Sequence, residues 1–170
     1  VSVEQHKREA PSSVRCMIIT VSDTRTKETD KSGNYIAEAL KNDHHTIVEH
    51  LIVKDDHLKI KEAVRYGMAN ADVDVILTNG GTGIAKRDVT IETVTPLFDK
   101  ELPGFGEVFR MLSYTEDIGS AAILSRATAG VADDTGIFSM PGSSGAVKLA
   151  MNKLIRPEIE HVVREIKKDV

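Results

Sequence analysis

The stretch that most limits what this chain can become runs from Val73 to Asp88 and reads V-D-V-I-L-T-N-G-G-T-G-I-A-K-R-D. Val73 to Thr78 is short, apolar and rich in β-branched residues, the mark of a buried strand. Asn79 to Gly83 then puts three glycines into five positions, so the backbone there can adopt positive φ and approach a ligand with no Cβ in the way. Such a loop can turn several N–H groups toward one anion. Lys86, Arg87 and Asp88 follow at once, and Thr90 opens a segment with helical spacing. Two cations and a carboxylate thus stand where a phosphate and its magnesium ion can be held. A plainer reading makes the glycines a tight strand-to-helix turn and Asp88 a cap on the next helix. Spacing excludes two other loops: no Gly-Lys pair completes a P-loop, and Lys86 occupies the small-residue position of a dinucleotide fingerprint beginning at Gly81.

A length of 170 residues suits one domain that buries a core without disulfides or metals. Hydrophobic residues at 41% and charged residues at 28% are those of a soluble globular protein. No apolar run approaches the roughly 18 residues that span a bilayer, and no signal-peptide core opens the chain, so the expected location is cytoplasmic, with no membrane partner. A net charge of −4 gives no general attraction for nucleic acid, which confines phosphate binding to a local site. Cys16, the single cysteine, reads as a small buried hydrophobe. His44-His45 and His161 read as solvated surface, and no H-x-x-x-H or Cys/His spacing marks zinc.

Residues 1–13 read as a loosely held polar tail, and residues 14–170 as the domain. Val14 to Val21 (V-R-C-M-I-I-T-V) is a buried-strand candidate that ends in Ser22-Asp23. Ser32 is positioned to cap a helix to about Leu40. Thr46 to Val53 forms a second strand ending at Asp55-Asp56, and a helix with Ile60, Ala63, Val64, Gly67 and Met68 on one stripe follows to Asn70. After the glycine loop, helical spacing covers Thr90 to Lys100, and Pro103 opens a helix carrying Phe105 and Phe109. Phe98, Phe105 and Phe109 read as core, with a subunit contact as the rival. Ser120 to Gly130 has weak helical character. Thr135 to Met140 is a further strand ending in Pro141-Gly142-Ser143-Ser144-Gly145, and two more helical segments follow, the last restarted by Pro157.

Strands alternating with amphipathic helices predict an α/β domain with a mostly parallel sheet covered on both faces. Ligands bind outside the carboxyl ends of such strands. The distinctive polar groups fall there: Ser22-Asp23, Asp55, Gly80 to Asp88, and Pro141 to Gly145. Carboxylates at Asp23, Asp55 and Asp88 with cations at Lys86 and Arg87 suit a phosphorylated ligand with Mg2+, and point to phosphoryl or nucleotidyl transfer, a chemistry of positioning and charge neutralisation.

These residues also carry a resemblance. T-N-G-G-T-G from Thr78, R-D-V-T-I-E from Arg87, P-G-F-G-E from Pro103, L-S-R from Leu124 and P-G-S from Pro141 occur in the order of the MoaB/MogA family of molybdenum cofactor biosynthesis, over about residues 14–165. The resemblance implies a three-layer α/β/α sandwich assembled as a homotrimer or homohexamer that binds molybdopterin. Active members adenylylate it with Mg-ATP, releasing pyrophosphate. On this resemblance Asp55 and Asp88 are the catalytic pair, and the glycine loop and Ser143 contact the ligand phosphates and pterin; taken together with the rim, Asp55 and Asp88 are the expected Mg2+ ligands, and Ser22, Asp23, Thr78, Gly80, Gly81, Thr82, Gly83, Lys86, Arg87, Pro141, Gly142 and Ser143 the expected substrate-binding residues. The chain differs from many adenylylating relatives in Lys54 before Asp55 and in Ser143-Ser144-Gly145, and its F-G-E-V-F-R-M-L-S-Y segment is similar to the B branch. Two rival functions are a non-catalytic molybdopterin carrier or scaffold and a different nucleotide-binding transferase.

Overall fold

Three apolar strand segments of this chain are buried on both faces, and the architecture follows from what must cover them. In the computed structural model, which describes residues 2–10 and 12–170, the strands are β1 (Arg15–Val21), β2 (Thr46–Val53), β3 (Val75–Asn79), β4 (Lys100–Glu101), β5 (Thr128–Ala132) and β6 (Thr135–Met140). They form one sheet in the order β2-β1-β3-β6-β5-β4. β2, β1, β3 and β6 run parallel, while β5 and β4 add an antiparallel edge.

The helices are α1 (Val3–Glu9), α2 (Lys31–Asn42), α3 (His57–Ala69), α4 (Thr90–Val94), α5 (Pro103–Glu116), α6 (Ser144–Ala150) and α7 (Arg156–Lys167). Alternate residues of each central strand feed opposite cores, as strand geometry requires. Cys16, Ile18, Val75, Leu77 and Phe138 pack with Ile36, Leu40, Phe109, Val147, Ile155 and Ile159 beneath α2, α5, α6 and α7. Met17, Ile19, Ile76 and Ile137 pack with Ile60, Val64 and Val94 beneath α3 and α4. This is the expected three-layer α/β/α sandwich. Burial pushes the Cys16 thiol up to about 12, so this residue is an inert hydrophobe.

Several local expectations change. The polar segment 1–13 contains helix α1, begun by Ser2, whose hydroxyl oxygen accepts from Gln5 N–H. Asp30 rather than Ser32 caps α2, because its carboxylate accepts the Gly33 amide at 2.9 Å. The third strand begins at Val75, after Asp74 turns its carboxylate to the Arg15 backbone and guanidinium. The segment Thr90 to Lys100 is α4, a 3-10 turn at Thr95–Leu97 around Pro96, and β4. Within 120–130 a 3-10 turn, Gly119–Leu124, gives way to β5. β5 meets β6 through Asp133 and Asp134, both at positive φ, a two-residue reversal built without glycine at its centre.

Pro157 does not restart the chain. α6 runs into α7 through a π-helical turn at Met151–Ile155. A proline ring crowds the carbonyl four residues earlier and cannot donate to it, and the wider turn relieves that conflict. His45 is buried, not solvated: its Nδ1 accepts the Val14 amide at 3.0 Å. His161 is half-buried against Glu158. Phe105 meets Phe138 edge-on at 5.2 Å and Phe109 is fully buried, which makes this aromatic group core. Among the described residues no helix is long and apolar enough to cross a membrane.

Candidate functional site

The strand order reverses at β1, with β2 on one side and β3 on the other, and this is where open α/β sheets form a crevice. Loops from four parallel strands meet there. Ser22 N–H donates to Val53 O at 2.8 Å, and Gly80 N–H donates to Met140 O at 3.1 Å. A Cβ on Gly80, which has φ +98°, would lie 2.3 Å from Val21 O, so only glycine lets β3 turn directly over the end of β1. Gly142 approaches within the same van der Waals layer: its Cβ would meet Gly80 Cα at 3.1 Å.

The glycine loop is gripped from one side. Arg126 donates from Nε to Thr82 O at 2.9 Å and from Nη2 to Gly83 O at 2.8 Å, and it pairs with Glu92. Because a trans peptide places N–H opposite C=O, the amides of Gly83 and Ile84 face away from Arg126. Among the described residues, the amides of Gly81, Thr82, Gly83 and Ile84 donate to no protein group. Four consecutive free donors form a ready anion cradle.

The carboxylates gather around this loop. Asp55 lies beside Gly81, whose Cβ would fall 3.1 Å from Asp55 Oδ1, and Asp88 lies beside Gly83, whose Cβ would fall 2.5 Å from Asp88 Oδ2. Asp23 accepts the Asp55 amide at 3.0 Å through Oδ1 and pairs with Arg87 at 2.6 Å through Oδ2. Burial, then Asp23 and Asp88, raise Asp55 above the ordinary carboxylate range, with Arg87 opposing them. Asp88 is not the cap of α4, since Val89 stands at that position without a side-chain bond. Its Oδ2 instead accepts the Ala85 amide at 3.1 Å and braces the loop.

The other expected residues divide. Ser22 caps its own turn by accepting from the Thr24 and Arg25 amides, and Ser143 caps α6 by accepting from Ala146 N–H. Lys86 is exposed on the loop. Thr78 departs from the expectation: it is buried within the sheet with its hydroxyl donated to Ser139 Oγ at 2.8 Å, because a strand residue one position before Asn79 points into the layer rather than out of the rim. Gly80 to Gly83, Asp88, Arg126, Pro141 and Gly142 line a cleft of about 480 Å³, walled on the far side by Ile118 and Leu124. A second hollow, about 870 Å³, runs from Ser22, Asp23 and Arg25 along the open flank of β2.

Sequence reasoning gave no role to what holds the rim up. Asp30 is wholly buried and accepts from Thr20 Oγ1 at 2.6 Å, from His50 Nε2 at 3.0 Å and from Gly33 N–H. Thr20 Oγ1 accepts in turn from Asn79 Nδ2 at 3.0 Å. Arg25 and Ser32 both donate to Gly142 O. These partners lie far apart in the chain, and only the polar run D-K-S-G at Asp30 hinted at them.

Comparison with known proteins decides the family. Residues 17–161 match the family described as "Probable molybdopterin binding domain". The chain belongs to this family, in its MoaB branch. It is 65% identical over 169 residues to molybdenum cofactor biosynthesis protein B of Bacillus subtilis (strain 168), covering 99% of each chain. A crystal structure of molybdenum cofactor biosynthesis protein B, 60% identical, superposes with a TM-score of 0.91 over 94% of this chain and 99% of the other. The tungsten cofactor synthesizing protein MoaB of Pyrococcus furiosus, 41% identical, gives a TM-score of 0.84 over 93% and 99%. The family accounts for a pathway role in molybdenum cofactor biosynthesis and for a molybdopterin-binding domain.

Proposed function

We propose that this member of the family adenylylates molybdopterin with ATP. The observation that carries the reading is the gathering of Asp23, Asp55 and Asp88 around a glycine loop with four free amides. Carboxylates so placed that burial, and then its neighbours, raise Asp55 are costly to keep unless a cation joins them. Their oxygen donors fit Mg2+, with Asp55 and Asp88 as its holders. When bound, Mg2+ supplies charge neutralisation on the nucleotide phosphates. The loop amides cradle the terminal phosphate of molybdopterin, and Arg87 and Lys86 offset charge at the rim. A phosphate oxygen of the pterin attacks the α-phosphorus of ATP, a new P–O bond forms, and the bond from that phosphorus to the bridging oxygen breaks as pyrophosphate leaves.

The test is incubation of the purified chain with molybdopterin, ATP and Mg2+, with identification of adenylyl-molybdopterin and pyrophosphate. Tight pterin binding without product supports a carrier, and nucleotide turnover without pterin supports another transferase. We also propose that the chain works as a homotrimer or homohexamer. In favour of this, Met111 and Tyr114 on α5 and Ile123 beside the cleft are 59%, 60% and 85% exposed, a patch of the kind that partner chains cover.

A further inference from the structure

Helix α1 poses an energetic question of its own. It has seven residues, none of them buried, and so short a helix does not persist in water by propensity. It lies on α7 through polar contacts: Lys7 Nζ to Glu158 at 2.6 Å, Arg164 Nη2 to Glu9 at 2.7 Å, and His6 Nδ1 to Glu165 at 2.9 Å. Solvent-exposed pairs of this kind contribute little. His6 is the one residue of α1 that is half-buried, the others being exposed.

His6 does not stand alone. The His161 Nε2 lies 3.9 Å from the same Glu165 oxygen that His6 approaches, and the three ligand atoms all fall within 4.8 Å of one another. A tetrahedral zinc ion with bonds of about 2.0–2.1 Å sets its donors roughly 3.3 Å apart, so small side-chain rotations close the set. The two imidazoles are tilted by 60° with centroids 5.8 Å apart, not stacked. His161 Nδ1 lies 3.0 Å from Glu158 Oε2. A carboxylate in that position accepts a hydrogen bond from Nδ1–H, which leaves the Nε2 lone pair free for a metal, and such outer partners orient histidine ligands. Glu158 is itself steadied by Lys7.

Glu165 accepts from Arg164 Nη1 at 2.7 Å through Oε1 and from Lys168 Nζ at 2.9 Å through Oε2. Arg164 Nη2 is held by Glu9 Oε2 at 2.7 Å, so a cation entering at Glu165 Oε1 displaces only Nη1 of this guanidinium.

We propose that His6, His161 and Glu165 form a binding site for a borderline divalent transition metal, zinc in the first instance, that clamps α1 onto α7. Two imidazoles and one carboxylate suit zinc with water in the fourth position, and they disfavour magnesium and calcium, which want oxygen throughout. The spacing of His161 and Glu165 places them one helical turn apart on the same face. Their third partner lies near the other end of the chain, which is why a search for paired histidines passes over the site.

The test uses the full chain freed of metal by a chelator and titrated with Zn2+ against a chromophoric indicator at neutral pH. A single ion per chain is expected, with affinity reduced about 10-fold or more in His6→Ala and in His161→Asn. Glu158→Gln, which removes no ligand, is expected to weaken binding by about 10-fold. Amide exchange at residues 3–9 should slow on adding Zn2+ to the unsubstituted chain and stay unchanged in His6→Ala. Far-ultraviolet circular dichroism confirms that each variant is folded. Absence of stoichiometric zinc binding, variants that bind as tightly as the unsubstituted chain, or exchange of α1 that ignores zinc would each overturn the proposal.

Discussion

Replacing Arg126 with methionine tests how the glycine loop is held. Methionine keeps the unbranched apolar stem of arginine to about the position of Nε and removes the guanidinium with its charge and donors. Two charge-assisted bonds to Thr82 O and Gly83 O are lost, and each is worth about 1–1.5 kcal/mol where water from the cleft can replace the donor. The pair with Glu92 is open to solvent, at 32% and 53% side-chain exposure, and adds no more than about 1 kcal/mol. The expected loss is about 3 kcal/mol, which lowers the melting temperature of a chain this size by roughly 6–12 °C. Urea unfolding should show a lower midpoint at constant slope, since the surface exposed on unfolding is unchanged. Affinity for molybdopterin should fall by about 10-fold, because the freed loop no longer presents its amides in one orientation. Glu92→Gln separates the two contributions. If it reproduces the whole loss, or if Arg126→Met leaves both stability and pterin affinity intact, the clamp does not exist as described.

Three further outcomes follow from the rim. Asp88→Asn retains an oxygen that can accept the Ala85 amide, so the melting temperature and pterin binding should hold while adenylylation falls by roughly 10²-fold or more; full turnover would remove Asp88 from the reaction. Gly80→Ala forces a side chain onto Val21 O at φ +98°, and should cost about 2 kcal/mol or more in urea unfolding. Asp55 has a folded-state pKa raised above its ordinary 3.8, with burial as the leading cause. The folded state therefore binds more protons than the unfolded one through the interval above 3.8, and stability falls as pH rises across it. Metal-free Asp55→Asn should be more stable than the unsubstituted chain at neutral pH, with the gain vanishing below that interval, and Mg2+ should stabilise only the unsubstituted chain; unfolding curves across pH read both.

What the sequence made legible was whatever short-range chemistry decides. The runs Arg15 to Val21 and Val75 to Asn79 are apolar on both faces, so their burial and parallel pairing follow from composition. The apolar stripe of α3 and the bounds of that helix rest on residues within a few turns of each other, and both are legible almost to the residue. β5 escaped because T-A-G-V-A carries little strand preference and its reversal at Asp133-Asp134 lacks the usual Asn-Gly or Asp-Gly signal. The burial of His45 against Val14, and of Asp30 against Thr20 and His50, depends on partners distant in the chain, as tertiary context overrides local pattern. At the site, Asp23, Asp55, Asp88 and the glycines were legible because each lies in the loop that follows a strand, and those loops share one rim. Arg126 and Asn79 were given no role because their partners are distant in the chain, the Thr82 and Gly83 carbonyls for one and the Thr20 hydroxyl of β1 for the other.

The rim and the layer under it divide the work unevenly, and the division explains why the loop keeps its shape. Gly80, Gly81, crowded carboxylates and undonated amides are all arrangements that cost stability, and they lie within a single crevice. Directly below, Thr20 must donate to Asp30, which as a carboxylate only accepts, so its remaining lone pair fixes the Asn79 amide with nitrogen toward it. The Asn79 oxygen is then left buried without a partner among the described residues. A buried polar network that is nearly complete is rigid, and rigidity beneath Gly80 is what allows a loop with few internal bonds to hold its donors in one orientation. Strain at the edge and over-determination beneath it are two sides of the same construction: loosening the Thr20, Asp30 and His50 contacts would blur the anion cradle without touching any residue that meets the ligand.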